Sequence, residues 1–231
     1  MALADDIRTL HDRSVADLTS AHDYYADTTA AWRLVRKVIA GGKRIAVRNA
    51  TTGTATTQAE LAIKARRYVA EQLAEATFQQ FISIFECFFF DLLGLWLTAH
   101  PQSLGKKMVD FKTVLELPDK DAITQVIIRR EVNEVLYDRP TEWFAYLEGK
   151  VKLGRPTASE IERLAEAKAS RDLLVHNNGV ANKAYESKAG NLARFRDGEK
   201  INIPEHYHRQ TWELIRKIVS DIAAAAIAKA S

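Results

Sequence analysis

The chain has 231 residues, of which 47% are hydrophobic, so it is long enough to bury one substantial core without disulfides or metals. Its single cysteine, Cys87, excludes an internal disulfide framework and a cysteine-rich zinc site. A net charge of +3 permits an anionic partner without requiring one. The first residues, MALADDIRTLHDR, are charged and lack the apolar segment of a secretion signal, so we expect a cytoplasmic protein.

The first part of the chain predicts a long helix followed by a loop. From Ala4 to Ala40, apolar residues recur at spacings of three and four, and Gly41 and Gly42 end the pattern. The threonine-rich stretch 43–57 contains too many β-branched residues for a helix, which predicts a loop or a short hairpin.

The next stretch predicts one very long helix, or two in series, from Gln58 to His100. Its second half, FISIFECFFFDLLGLWLTA, is apolar on every side and long enough to span a bilayer. Glu86 and Asp91 would be costly at bilayer depth, so we expect a buried central helix and no membrane span. Cys87 is expected to be a buried small hydrophobic residue.

Glu86 lies in the middle of this apolar helix. A buried carboxylate without a partner is prohibitively costly, which leaves two interpretations. Either Glu86 faces a gap between helices, or it pairs with a cation from elsewhere in the chain.

The rest of the chain predicts shorter helices and one hairpin. The helices are expected at about Lys106 to Leu117, Ala122 to Leu136, Thr141 to Lys152, and Glu205 to Ala228. In ARFRDGEKINI, Asp197-Gly198 stands between Phe195 and the alternating Ile201 and Ile203, which is the usual signal of a two-residue hairpin. The predicted fold class is therefore all-α, with at most a small hairpin.

A further helix carries the most informative motif. In GRPTASE, Thr157 is the expected N-cap and Glu160 completes a capping box, so the helix begins near Ala158. It extends to near Asn178, and Gly179 is expected to end it in the left-handed conformation.

The end of this helix, SRDLLVHNNGVANKAY, brings together groups that suit a phosphate. Asp172 and His176 are four residues apart and share a helix face, so the carboxylate is placed to accept a hydrogen bond from the imidazole. An imidazole is a plausible general acid or base near neutral pH, and the long side chain of Arg171 reaches toward the same anion. The alternative is structural, with His176 at the helix terminus and Arg171 in an ordinary salt bridge.

Arg171, Asp172 and His176 resemble the signature of the HEPN superfamily, an Arg, four to six residues and a His, with a polar residue commonly after the Arg. The upstream apolar helix with its embedded acid, FISIFECFFFDLL, is similar to the family helix that packs against the motif. The nearest likeness is to ribonuclease-like HEPN domains of prokaryotic defence and toxin systems. It covers about 58–228, so residues 1–57 are treated as an N-terminal helix and loop extension of a domain at 58–231, in one compact unit.

The resemblance implies an antiparallel helical bundle that dimerises, with two Arg-His motifs facing one cleft. Active members are metal-independent endoribonucleases, which implies catalytic roles for Arg171, His176, Asp172 and Glu86, with Glu86 positioning Arg171. Expected partners are RNA, a second copy of the chain, and an antitoxin or other regulatory protein. The alternative is a catalytically inactive HEPN-type module that binds a nucleotide or a partner.

Several polar residues near the motif are expected to contact RNA, and no metal or cofactor is expected. The RNA-contact residues are Asn177, Asn178, Lys183, Arg194 and Arg196. His206 and His208 are too close in sequence to share a helix face, so PEHYHR is not a convincing metal site.

Overall fold

The computed structural model describes residues 2–105 and 107–230 and is all-α, as the sequence predicts. Its α-helices are α1 (Leu3–Ala40), α2 (Gln58–Arg67), α3 (Leu73–Ala99), α4 (Phe111–Glu116), α5 (Lys120–Leu136), α6 (Pro140–Val151), α7 (Ala158–His176), α8 (Lys183–Ala189) and α9 (Glu205–Ala230). Short 3-10 turns lie at Pro101–Leu104 and Gly190–Leu192. The described residues form no β-strand, only isolated antiparallel bridges between Arg48 and Ala55 and between Val180 and Lys200.

Helix α3 forms the centre of the core. It packs against α1, α9, α5 and α7, and it buries an aromatic row consisting of Phe78, Phe81, Phe85, Phe88 and Phe89. Helix α3 continues from α2 through a π-helical turn at Tyr68–Gln72, so 58–99 is one uninterrupted run, which is the first of the two arrangements predicted. By length and composition this run could cross a membrane, and half of its most apolar window is buried inside the protein.

The prediction for Cys87 is wrong, because this residue is exposed. Helix α3 is not enclosed on every side: Ser83, Cys87 and Asp91 are exposed at intervals of four residues. An apolar run in sequence thus conceals one narrow solvent-facing stripe of the helix.

The hairpin prediction at Asp197-Gly198 is also wrong. Gly198 does make a turn, with φ at +85°, but the segment after it pairs with the exit of α7. Ala181 N donates to the Glu199 carbonyl at 2.8 Å, and Ile201 N donates to the Gly179 carbonyl at 2.8 Å. The backbone groups of this segment are satisfied by a distant partner, which local turn chemistry does not reveal.

Helix α4 is shorter than expected, beginning only at Phe111, where Asp110 is the N-cap and accepts from Thr113 N at 2.9 Å. Lys106, at the predicted start, lies outside the described residues. Around α4, Met108, Phe111 and Leu115 are all strongly exposed, so this segment presents an apolar surface.

Helix α9 packs on α1 and α3 and buries His208 between them. The imidazole stacks on Tyr25 with 3.9 Å between ring centroids. Thr77 gives its only hydroxyl proton to the Leu73 carbonyl at 2.7 Å, so His208 Nε2 donates to Thr77 Oγ1, also at 2.7 Å. Burial lowers the pKa of His208 to about 4, while His206, two residues earlier, is exposed.

Candidate active site

The motif helix borders a cleft of about 940 Å³. One wall is a face of α7, and Glu86 of α3 reaches the cleft from behind it. The other walls are the α5–α6 junction at 136–141 and the end of α8 with the following turn at 187–192. The four residues predicted to be catalytic, Glu86, Arg171, Asp172 and His176, all line this cleft.

Glu86 pairs with two cations of α7. Its carboxylate contacts the Arg171 guanidinium through Nη2 and lies 3.4 Å from Lys168 Nζ. All three side chains are less than one-fifth exposed. The burial of Glu86 is therefore explained by charge pairing, and Arg171 is held in one orientation at the cleft.

Asp172 is enclosed by cations rather than paired with His176. Its carboxylate lies 3.3 Å from Lys168 Nζ, 3.3 Å from Arg171 Nη1 and 3.4 Å from Lys188 Nζ. The expected hydrogen bond between Asp172 and His176 is not formed, because these three cations take up the carboxylate. Two carboxylates thus share three cations, and the cluster carries one net positive charge.

His176 is the last residue of α7, and its side chain is exposed at the cleft. Within 2–105 and 107–230 the imidazole has no hydrogen-bond or ion-pair partner. The buried Nε of Arg171 likewise has no acceptor among the described residues. A ligand in the cleft would therefore meet a free imidazole and a guanidinium that Glu86 already holds in place.

The start of α7 is fixed by the predicted capping box. Thr157 Oγ1 accepts from Glu160 N at 3.4 Å, and the Glu160 carboxylate accepts from Thr157 N at 2.8 Å. Lys217 of α9 donates to Glu160 at 2.7 Å. This hydrogen bond, together with the box, lowers the pKa of Glu160 to about 2.

The exit of α7 is fixed by two consecutive left-handed residues. Asn178 has φ +52° and Gly179 has φ +69°, and Gly179 N donates to the Leu173 carbonyl at 2.8 Å. A Cβ on Gly179 would approach Lys200 Nζ to 2.9 Å, since this ammonium group caps the Asn178 carbonyl. The helix end that carries His176 is therefore held by a specific turn.

The face of α7 away from the cleft is fixed by a buried polar network around Glu166. Its carboxylate accepts from Ser170 at 2.8 Å, from Tyr185 at 3.0 Å and from Tyr207, which links α7 to α8 and α9. Burial, reinforced by the charge of Glu166, raises the pKa of both tyrosines. Arg194 belongs to this network, donating from Nε to Glu166 at 3.0 Å.

The residues expected to contact RNA are therefore not all in one place. Arg194 lies behind α7, and its guanidinium also stacks on Tyr207 at 3.4 Å from the ring centroid. The other four, Asn177, Asn178, Lys183 and Arg196, are exposed beyond the end of α7 and are not among the residues that line the cleft.

Sequence reasoning did not place Lys168, Lys188 or Tyr137 at the motif; Lys188 was expected only as one of several scattered cations able to follow an RNA backbone. Lys168 precedes Asp172 by four residues on α7, so helical spacing could have placed it on the same face. Lys188 comes from α8 and Tyr137 from the end of α5, and no local pattern links either to the motif. Tyr137 lines the cleft and is 88% exposed.

The cleft is chemically suited to an anion with an adjoining planar group. The cluster supplies net positive charge, His176 supplies an imidazole without a partner among the described residues, and Tyr137 supplies an aromatic face. No family model matches the chain, and no curated protein or solved structure matches it either.

Proposed function

We propose that the protein is a metal-independent endoribonuclease of the HEPN type, which cleaves RNA at a site formed by two copies of the chain. One observation carries the proposal: Arg171 and His176 line a single cleft, and Arg171 is held there by the largely buried carboxylate of Glu86. A positioned guanidinium and a free imidazole that line the same cleft provide the two functions that phosphodiester cleavage by a neighbouring hydroxyl requires.

The proposed reaction forms and breaks one phosphorus–oxygen bond. His176 of one copy removes the proton from the ribose 2′-hydroxyl, and the 2′-oxygen attacks the adjacent phosphorus. The bond from phosphorus to the 5′-oxygen breaks, and the imidazolium of the second copy returns a proton to that oxygen. Arg171 stabilises the negative charge that accumulates on the phosphoryl oxygens. The products are a 2′,3′-cyclic phosphate and a 5′-hydroxyl.

The surroundings of Asp172 favour a phosphate at this position. An isolated carboxylate would repel it, but Lys168, Arg171 and Lys188 compensate the charge of Asp172. Tyr137 offers an exposed ring in the same cleft, and aromatic side chains of this kind stack on unpaired RNA bases.

The homodimer is part of the proposal because, in the part of the chain that the structure describes, one imidazole lines the cleft of each copy. General acid and general base catalysis at a single phosphate is most directly served by two. The exposed apolar side chains of Met108, Phe111 and Leu115 provide a surface of the kind that interfaces cover.

A second candidate is a non-catalytic module that binds a nucleotide or a partner. It is favoured by the charge balance of the whole cleft, whose lining includes four carboxylates, Glu86, Asp138, Glu162 and Asp172, alongside four cations, Arg139, Lys168, Arg171 and Lys188. A cleft without a strong excess of positive charge suits a small or mixed-charge ligand as well as a polyanion.

Incubating the purified protein with a mixed RNA panel in EDTA separates the two candidates. The nuclease proposal expects cleavage by the wild type, and loss of cleavage in His176→Ala and in Arg171→Ala. The matched controls are His206→Ala and Arg163→Ala, which alter an exposed histidine and an exposed arginine of α7 outside the cleft lining. Cleavage that survives in both motif variants, or a wild type inactive on the whole panel, would reject the proposal. A protein that sediments as a monomer at micromolar concentration would reject the two-copy site.

A further inference from the structure

The positive charge of the chain is concentrated in one segment. Residues 31–67, which we call the basic arm, contain nine of the 33 Lys and Arg residues but only one of the 30 Asp and Glu residues. The arm therefore carries a net charge of +8, while the remaining 24 cations and 29 carboxylates give the rest of the chain a net charge of −5. The chain's overall charge of +3 conceals this asymmetry.

The arm extends past the core. Helix α1 buries a residue at nearly every turn from Ala4 to Thr29 and buries none beyond it. The final 11 residues of α1 span about 16 Å at 1.5 Å per residue. Within the arm, α2 buries only Leu61 and Ala65. Most of its surface therefore faces solvent.

The arm is nevertheless ordered by its own contacts. Gln58 pins the loop to the start of α2, accepting from Ile45 N at 3.0 Å and donating to the Ile45 carbonyl at 2.8 Å. Thr57 and Glu60 form a capping box on α2. Glu60, the one carboxylate of the arm, caps α2, and its charge balances only one of the arm's nine cations.

The cations of the arm are mostly unpaired. Arg33 pairs with Glu205 of α9, and Arg48 donates to the Gly53 carbonyl at 3.4 Å. The exposed side chains of five others form no ion pair or hydrogen bond with the described part of the chain: Arg36, Lys37, Lys43, Arg44 and Arg66. Unpaired cations close together on an exposed segment create a strong positive potential that no nearby carboxylate neutralises.

We propose that the basic arm is a second nucleic-acid contact surface, which holds the phosphate backbone of RNA without reading its sequence. Cations that neutralise phosphates release condensed counterions, and this release supplies most of the affinity of non-specific binding. The choice of RNA rests on the proposed function, whereas the choice of a polyphosphate backbone rests on the arm's charge alone.

The arrangement of apolar residues disfavours an anionic membrane as the occupant. A helix that lies in a membrane surface presents a continuous apolar stripe. The large exposed apolar residues of the arm are Leu34, Val47 and Ile63. Cations lie next to Leu34 and Ile63 on the same helix faces, so no continuous apolar stripe forms. Lys37 lies three residues after Leu34, and Arg66 lies three residues after Ile63.

The arm is separate from the cleft. None of its residues lines the cleft. Arg67 at the end of the arm and Glu86 at the cleft are 19 residues apart on the uninterrupted α2–α3 run, or about 28 Å along the helix axis. The arm would therefore hold a part of the RNA chain remote from the scissile phosphate.

The test measures fluorescence anisotropy of a labelled RNA that is 2′-O-methylated throughout, so that it binds but has no free 2′-hydroxyl to react. The arm variant combines Arg36→Gln, Lys37→Gln, Lys43→Gln and Arg44→Gln. The control variant combines Lys120→Gln, Arg155→Gln, Arg163→Gln and Lys229→Gln, which removes the same charge from exposed positions that also lack ion pairs among the described residues. Circular dichroism checks that both variants keep their helicity.

We expect the arm variant to bind at least about tenfold more weakly than the wild type at near-physiological salt, with the control close to the wild type. The slope of log affinity against log salt should become shallower by about 0.7 for each phosphate that the arm no longer neutralises. Equal binding by the two variants, or no RNA binding by the wild type, would overturn the proposal. So would a wild type that prefers vesicles of phosphatidylcholine and phosphatidylserine and loses that preference in the arm variant.

His176→Ala keeps this test independent of catalysis. The variant is expected not to cleave unmodified RNA, and adding the four arm substitutions to it should weaken binding of the methylated RNA by the same factor as in the wild type. If the arm substitutions weaken RNA binding but the wild type cleaves no RNA, the nuclease proposal is rejected and the proposal for the arm is retained. If the wild type cleaves RNA but the arm substitutions leave RNA binding unchanged, the proposal for the arm is rejected and the nuclease proposal is retained.

Discussion

Arg171 is held in the cleft by two largely buried carboxylates, Asp172 on its own helix and Glu86 on α3. Glu86 contacts its guanidinium from α3, and Lys168 joins the same carboxylate at 3.4 Å. Both partners are largely buried, so water screens this pair less than a surface salt bridge. The orientation of Arg171 is therefore a property of α3 as much as of the motif helix.

Replacing Glu86 with Gln tests whether the charge of Glu86 holds Arg171 in place. The variant keeps the shape of the side chain but removes the charge that balances Arg171 and Lys168. We expect the free energy of unfolding to fall by about 2 kcal/mol, measured by urea denaturation. If Glu86 positions Arg171 for catalysis, kcat for RNA cleavage should fall while KM changes little.

Asp91→Asn is the matched control for this prediction, because Asp91 lies on the same helix. Its pair with Arg13 spans 2.8 Å, and both side chains are more than half exposed. Its removal should change stability by about 0.5 kcal/mol or less. Similar decreases in stability in the two variants would show that Glu86 contributes no more than a surface ion pair.

The burial of His208 makes stability dependent on pH in a predictable direction. Its pKa falls from 6.5 to about 4 in the folded protein, so the unfolded chain binds more protons between these values. The contribution of neutral His208 is fully present above about pH 6.5 and is lost as the pH falls toward 4, a change of roughly 3 kcal/mol. Urea denaturation across this range should show a smaller decline in His208→Leu than in the wild type. An equal decline in both would contradict the assignment, and His206→Leu serves as the exposed control.

Helix α7 is the element on which the cleft depends, and its two ends are fixed by different means. A capping box joined to Lys217 of α9 fixes the start, and the left-handed turn at Asn178 and Gly179 fixes the exit. Between them, Glu166 ties the rear face to α8 and α9 through Tyr185 and Tyr207. These contacts leave the opposite face free to line the cleft.

Removing the cap of α7 should therefore lower the stability of the whole protein. Thr157→Ala is expected to reduce the free energy of unfolding by about 1 kcal/mol, measured by urea denaturation. Thr57→Ala removes the equivalent cap from α2 in the basic arm. It should increase hydrogen exchange within 58–67 while changing global stability less. A larger loss of global stability in Thr57→Ala than in Thr157→Ala would show that α7 is not integrated into the core as described.

Sequence patterns predicted elements well where the determinants are local. The capping box at Thr157 and the left-handed Gly179 follow from residues a few positions apart, and the structure contains both. The hairpin at Asp197-Gly198 failed because the segment pairs with 179–181, about 20 residues away in sequence. Helical spacing could have identified Lys168, whereas Lys188 reaches Asp172 only through the packing of α8 on α7.

The whole molecule separates two surfaces of different character. The cleft is small, mixed in charge and enclosed by the ends of several helices, while the basic arm is extended and strongly positive. The chain's net charge of +3 did not indicate the basic arm, because the excess of cations in 31–67 is offset by carboxylates elsewhere. If both proposals hold, the arm supplies affinity for the RNA backbone and the cleft supplies the chemistry.

The chemical identity of the product ends is the sharpest test of the proposed reaction. RNA incubated with the wild-type protein in EDTA should yield fragments that mass spectrometry identifies as ending in a 2′,3′-cyclic phosphate and beginning with a 5′-hydroxyl. This pair of ends requires attack by the neighbouring 2′-hydroxyl, which is the step assigned to His176 and Arg171. Fragments with a 3′-hydroxyl and a 5′-phosphate would show attack by water instead, and they would contradict the proposed mechanism, as would intact RNA.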